Sequence, residues 1–292
     1  MSKVNPIALF LCLIFFHPTT ARAANSPDAY PSSTPFILYD GYLIVIEGRI
    51  SDLPALHFAI DTGSTRTIID QHIAASLRLQ RSFTTAFNFN KSSRAQSAEL
   101  PDISFGPQHA NHIQVLVADL SYLRSTGAKV DVVLGLDLLS QSTLRINFQS
   151  RLVSFGEPGA IDPSSLHLSS VPLHSNPSSL QVDLNLDGHL IPMILDSGMP
   201  GILLYESNLD NFALDPHIES LSAGHSLGGS LDSRAAIVPR LRLGSTDLDR
   251  RIRLLGSTNH PPLHIAGYLG LSAISAKEVE FDFLHHEFRW KK

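Results

Sequence analysis

The sequence predicts an all-β protein built as two related, closed β-barrel lobes with a cleft between them. Three observations carry this expectation. Short apolar or alternating runs follow one another between turn residues: FILYDGYLIVIEGRI, ALHFAIDTG, TIID, IQVLVADL and VDVVLGL. Helical periodicity is scarce, with QHIAASLRL and the stretch after Gly135 as the best short candidates. Two separated blocks of sequence recur at one common offset.

The N-terminus comes first in the chain. Residues 1–23 have the pattern of a secretory signal peptide: Lys3 as a positive start, an apolar run from Ile7 to Phe16 too short to span a bilayer comfortably, and Ala21-Arg22-Ala23 as a small-residue cleavage site. An uncleaved membrane anchor is the alternative for this segment. Removing Lys3 and Arg22 takes Lys and Arg from 22 to 20 against 27 Asp and Glu, a net charge of -7. The only cysteine, Cys12, lies in the apolar run, so a processed chain is expected to have no disulfide, thiolate chemistry or cysteine metal site. Localisation is therefore expected to be exported, either periplasmic or secreted, with no integral membrane span after signal cleavage.

Composition narrows the classes further. Hydrophobic residues make up 43% and charged residues 17% of the 292 residues, as in a globular chain with a sizeable core. A formal charge of -5 with no basic cluster leaves no footprint for nucleic acid.

Residues 24–35, small, polar and proline-bearing, are predicted to be a leader, and residues 36–157 the first lobe. A second proline-rich polar stretch is predicted as the linker, at 158–179, and 180–292 as the second lobe. The repeat supports this division. FAIDTGSTRTII at 58–69 answers MILDSGMPGILL at 193–204, placing Asp61 opposite Asp196 at an offset of 135. VVLGLDLLSQSTLRINFQSRLVSF at 132–155 answers GYLGLSAISAKEVEFDFLHHEFRW at 267–290, so Gly135 meets Gly270 at the same offset. Halves of this size are expected to pair about an approximate two-fold axis.

Each half carries an apolar strand ending in Asp-Thr/Ser-Gly. A carboxylate placed there is costly to bury unless it is paired. A two-fold axis would pair Asp61 with Asp196, and two carboxylates in contact share one proton. The ionised member can act as base on a water, and the protonated one can hydrogen-bond a substrate carbonyl. Thr62 and Ser197 offer hydroxyls to lock one loop to the other, and Gly63 and Gly198 leave room for close approach. Ser64 is expected to hydrogen-bond Asp61; Met199, its counterpart, cannot donate, so the two sites should differ. A single D-T/S-G is an ordinary turn sequence; two copies, each followed 74 positions later by a Gly-Leu element, are far more specific.

These motifs resemble the retropepsin-like and pepsin-like aspartic peptidases. VLGLDLL at 133–139 and YLGLSAI at 268–274 are similar to the family's hydrophobic-hydrophobic-Gly element, whose glycines, Gly135 and Gly270 here, let a strand thread beside the aspartate loop. RINFQSRLVSF and VEFDFLHHEFRW resemble the closing hairpin. The resemblance implies two acid-protease lobes of retropepsin type in one chain, with Asp61 and Asp196 as catalytic residues and no cofactor or metal. It also implies β-hairpin flaps over an extended peptide. AGHSLGGSLDSRAAIV at 223–238, with Gly228 and Gly229 at its tip, is the expected second flap. The first falls near FNFNKSSRAQSAEL at 87–100, which has no glycine and supplies no clear flap tyrosine.

Fourteen histidines invite a metal reading, but there is no H-E-x-x-H, and the adjacent His285 and His286 would point to opposite faces of a strand. Asp70, Asp131 and Asp137 are read as structural. The function expected is peptide-bond hydrolysis on an extended peptide or unfolded protein, by a monomer whose halves pair in cis. The alternative is a non-catalytic module binding peptide or envelope polymer on the same fold; Met199-Pro200 and the glycine-free first flap favour it.

Overall fold

The computed structural model describes residues 33–88, 91–156, 168–176, 179–207, 217–226, 229–256 and 265–292. The first half contains β1 (Ser33–Tyr39), β2 (Leu43–Arg49), β3 (Leu56–Ile60), β4 (Ile68–Asp70) and β5 (Arg81–Asn88). It continues with β6 (Lys91–Phe105), β7 (Gln108–Ala118), β8 (Val132–Leu134), β9 (Thr143–Asn147) and β10 (Leu152–Gly156). Next come β11 (Ser169–Pro172), β12 (His174–Asn176), β13 (Ser179–Leu186), β14 (His189–Asp196), β15 (Ile202–Tyr205), β16 (His217–Ser226) and β17 (Gly229–Ile237). The chain closes with β18 (Leu241–Leu243), β19 (Thr246–Asp247), β20 (Arg251–Leu255), β21 (Gly267–Gly270), β22 (Glu278–Asp282) and β23 (Glu287–Lys291).

Alternation builds these strands. Leu180, Val182, Leu184 and Leu186 of β13 are buried while Asp183 faces out, and Phe288 and Trp290 of β23 point inward on either side of Arg289. Asp40-Gly41 and Asp187-Gly188 adopt positive φ and turn β1 into β2 and β13 into β14, the conformation a tight hairpin demands. The described helices include α1 (Gln71–Ser76) and α2 (Leu136–Leu139), the two places where the sequence suggests helix. Asp70 caps α1 by accepting the N–H of His72 at 2.9 Å, and positive φ at Arg78 follows its end.

In the first lobe the strands run β2-β3-β8-β4-β7-β6, and β6 returns to β2 through Gly48↔Phe105, which closes the barrel. The second lobe repeats the order as β13-β14-β21-β15-β20-β17, with β18 taking the closing position on β13 through Leu184↔Leu243. Hairpin strands β5 and β16 lie outermost in the two lobes. A further run, β11-β23-β22-β9-β10-β1, joins the halves: β22 pairs antiparallel with β9, setting Phe281 opposite Leu144. Beneath it Phe281, Phe288 and Trp290 pack ring to ring, and each such buried side chain contributes roughly 1.5–3 kcal/mol.

The boundaries differ from expectation at two places. Strand β1 begins at Ser33, inside the predicted leader, because Ser33 pairs with Ser154 of β10. The predicted linker contains β11 and β12, which gain backbone partners on β23 and β13. Among the described residues no helix is long and apolar enough to cross a membrane.

Candidate active site

Asp61 follows β3 and Asp196 ends β14, each at the centre of its lobe. Strand β3 runs parallel to β8 with Ile60↔Leu134, and β14 runs parallel to β21 with Asp196↔Gly270. Strands β4 and β15 pair antiparallel with the same neighbours, so in both lobes the aspartate loop passes beside a Gly-Leu element. Gly135 is required there: a Cβ would lie 2.5 Å from the carbonyl carbon of Arg66, where backbone has no room to yield. Gly270 is pressed in the same way against the carbonyl oxygen of Met199.

Asp137 fastens the first loop, accepting the N–H of Thr67 at 2.9 Å and its hydroxyl at 2.7 Å. Ser272, at the same repeat position, reaches the second loop with its hydroxyl, which accepts the N–H of Gly201 at 2.9 Å.

The two loops meet. The side chains of Asp61 and Asp196 are hydrogen-bonded to each other. Asp61 Oδ1 accepts the Gly63 N–H at 2.9 Å, and Asp196 Oδ1 accepts the Gly198 N–H at 2.7 Å. Each glycine lies against the opposite carboxylate: a Cβ on Gly198 would be 2.7 Å from the Asp61 carboxyl carbon, and one on Gly63 would overlap the Asp196 carboxyl. Thr62 and Ser197, both buried, hydrogen-bond one another across the junction.

The carboxyls are unequal. Burial pushes Asp61 above the ordinary carboxylate range, and hydrogen bonds from Asp196 and from the N–H groups of Gly63 and Ser64 pull it back. Asp196, 9% exposed, is pushed well above that range by burial first, then by the Asp61 charge and the hydrogen bond between them. Buried together with a hydrogen bond between them, the two carboxyls hold one proton in common, and the pair carries a single charge. Such a pair offers a base and an acid at one point.

Ser64 departs from expectation. Its hydroxyl donates to the Arg66 carbonyl at 2.7 Å, a local turn bond, and its backbone N–H serves Asp61 instead. Met199 packs beside Ile194, Tyr205 and Tyr268.

Four tyrosines near the dyad were missed by the sequence reading. The rings of Tyr205 and Tyr268 lie tilted against each other, 6.3 Å apart, and Tyr268 feels the charge of Asp196. They replace Asp70 and Val133 at the 135-residue offset, and that break in the repeat was a usable signal. Tyr42 and Tyr122 stand on the first-lobe side.

The expected flap segments form the β5–β6 and β16–β17 hairpins, tipped by the pairs Asn88↔Lys91 and Ser226↔Gly229. Gly228 lies outside the described residues. His285 bonds Asp282 at 2.9 Å, and His286 takes a positive φ in the β22–β23 turn. Among the described residues no group of three or more His, Cys, Asp or Glu side chains could hold a metal ion.

Residues 46–138 match a family model described as aspartyl protease. The match contains Asp61 and Gly135 and stops before Asp196. No curated protein matches the sequence. Among solved structures, the crystal structure of conglutin gamma, a basic 7S globulin from lupine seeds, is similar at 12% identity and a TM-score of 0.51. The likeness covers 90% of this chain and 95% of that one, and it is a likeness of fold.

Proposed function

We propose that the protein is an aspartic endopeptidase in which Asp61 and Asp196 activate a water between two lobes of duplicated origin. The observation that carries this reading is the direct hydrogen bond between two buried carboxyls, both held above the ordinary carboxylate range. Asp61 takes a proton from the water as it attacks the peptide carbonyl. Asp196 hydrogen-bonds the carbonyl oxygen, and the proton gained by the dyad passes to the departing amine. Thr62, Ser197, Gly63 and Gly198 hold this geometry, and Gly135 and Gly270 let the aspartate loops seat. The aspartyl protease match over the first lobe supports the reaction class, and the matching strand order of the lobes supports the duplication.

The substrate in this reading is an extended peptide or unfolded protein, lying between the lobes under the two hairpins. The N-terminal sequence supports export to the periplasm or medium, and the pairing of β9 with β22 supports a monomer with its halves joined in cis. Met199-Pro200 is the feature that favours a binding module without catalysis. Such a module has no need of two carboxyls in contact.

The test is cleavage of an unfolded protein by the chain lacking residues 1–23. Asp61→Asn and Asp196→Asn are each expected to abolish cleavage while leaving the circular dichroism spectrum unchanged. Peptidase activity retained in both variants would overturn the assignment.

A further inference from the structure

The wall of the site on the first-lobe side carries two phenols. Tyr42 enters β2 directly after the Asp40-Gly41 turn, with its N–H bonded to the Tyr39 carbonyl at 3.1 Å. Tyr122 stands on the 3-10 turn Ser121–Thr126, which is anchored where the Leu120 N–H meets Asp70 Oδ2 at 3.0 Å. Both rings are half-buried against one apolar cluster that includes Leu43, Ala59, Leu123 and Val133. Ala59 precedes Asp61 by two positions, so along the alternating strand the cluster lies on the sheet face shared with the Asp61 side chain.

The cluster brings both rings within electrostatic reach of the second lobe: Tyr42 feels Asp40 of its own turn, and also Asp196 and Arg253. Tyr122 feels Asp61, Tyr42 and Asp196 together. Burial and these carboxylates push both phenols upward, so each keeps its proton and remains a donor throughout the range in which the dyad titrates.

We propose that Tyr42 and Tyr122 are positioning residues of the site, whose hydroxyls donate hydrogen bonds into the space around Asp61 and Asp196. They steady the ionised carboxylate and the water it holds. The inference rests on the endopeptidase reading for its catalytic consequence, but its electrostatic consequence can be measured without turnover. Neither residue lies in a repeated block; each belongs to a turn beside the dyad rather than to the hairpins above it.

Phenylalanine keeps each ring on the cluster and removes only the hydroxyl. The test is carbon-13 NMR titration of the aspartate carboxyls in the wild type, Tyr42→Phe, Tyr122→Phe and the double variant. Loss of donors to an ionised carboxylate is expected to move the first proton loss of the dyad upward, by about one pH unit in the double variant. In the peptidase assay kcat/KM is expected to fall roughly tenfold, with its acid limb displaced in the same direction. A double variant whose carboxyls titrate as in the wild type would overturn the inference, even if Asp61→Asn abolishes cleavage. Conversely, a shifted titration supports it even if Asp61→Asn and Asp196→Asn both still cleave, the result that would sink the endopeptidase reading alone.

Discussion

Thr62 and Ser197, 135 residues apart, hold each other by paired hydrogen bonds: each hydroxyl oxygen accepts the other residue's N–H at 3.0 Å. Each hydroxyl also donates across the junction, Thr62 to the Leu195 carbonyl at 2.7 Å and Ser197 to the Ile60 carbonyl at 2.9 Å. Four buried backbone groups are thereby satisfied by two side chains, and the aspartates one residue away are set in register.

Thr62→Val and Ser197→Ala therefore each strand a buried N–H and a buried carbonyl. Each is expected to lower unfolding free energy by about 1–3 kcal/mol in urea titrations. The pair is expected to couple, with a double-mutant interaction energy of roughly 0.5–3 kcal/mol. Thr62→Ser keeps the hydroxyl and is expected to lose much less. Additive losses would mean that the two residues act independently.

Stability is expected to depend on the dyad in a defined direction. The folded Asp196 carboxyl sits well above its unfolded value, so the native state holds a proton that the unfolded chain has released. Its contribution is complete below the unfolded value and is lost as pH rises through the folded one. Asp196→Asn is then expected to raise Tm relative to wild type at neutral pH and to change it least in acid. Each pH unit of displacement corresponds to about 1.4 kcal/mol, or roughly 2–4 °C in a chain of this size. Scanning calorimetry of both proteins at pH 4 and pH 7 measures this; equal Tm differences at the two pH values would contradict it.

Activity is expected to follow a bell-shaped pH profile belonging to the pair rather than to either residue. The acid limb marks protonation of the singly charged pair, and the alkaline limb marks loss of the shared proton. Both carboxyls are shifted upward, so the alkaline limb lies above the ordinary carboxylate range. A kcat/KM profile that declines through the range of an unperturbed aspartate would refute this.

Glycine replacements separate the site from the fold. Alanine at Gly63 or Gly198 collides with a carboxyl of the opposite lobe, which can swing away. Each change is expected to lower activity by at least ~100-fold at a cost of about 1–3 kcal/mol in stability. Alanine at Gly135 collides with the backbone of Arg66, which has no such freedom, and is expected to prevent accumulation of folded protein. Soluble expression and thermal melts of the variants distinguish the two outcomes.

Much of the fold was legible because its signals are local. Alternation marked the strands, and the spacing of the Asp-Thr/Ser-Gly and Gly-Leu blocks marked two lobes. The limits of the lobes were less legible: Ser33, Ser169 and His174 sit in polar, proline-bearing sequence and become strand only through partners on β10, β23 and β13. Ser64 was assigned to Asp61 by chemistry alone, whereas its hydroxyl finds the nearer carbonyl of Arg66.

The sequence by itself determined the strand-rich class, the paired blocks and the choice of Asp61 and Asp196 as the residues to watch, because composition and periodicity are properties of short stretches and one offset. Only the tertiary structure decided that these carboxyls touch, that burial raises both, and that Tyr42 and Tyr122 share one apolar cluster with Ala59 of the strand leading to Asp61. Proximity between distant positions follows from strand pairing and the closing of two barrels, and a carboxyl's affinity for its proton follows from what is buried around it. Neither is encoded in the spacing of residues along the chain.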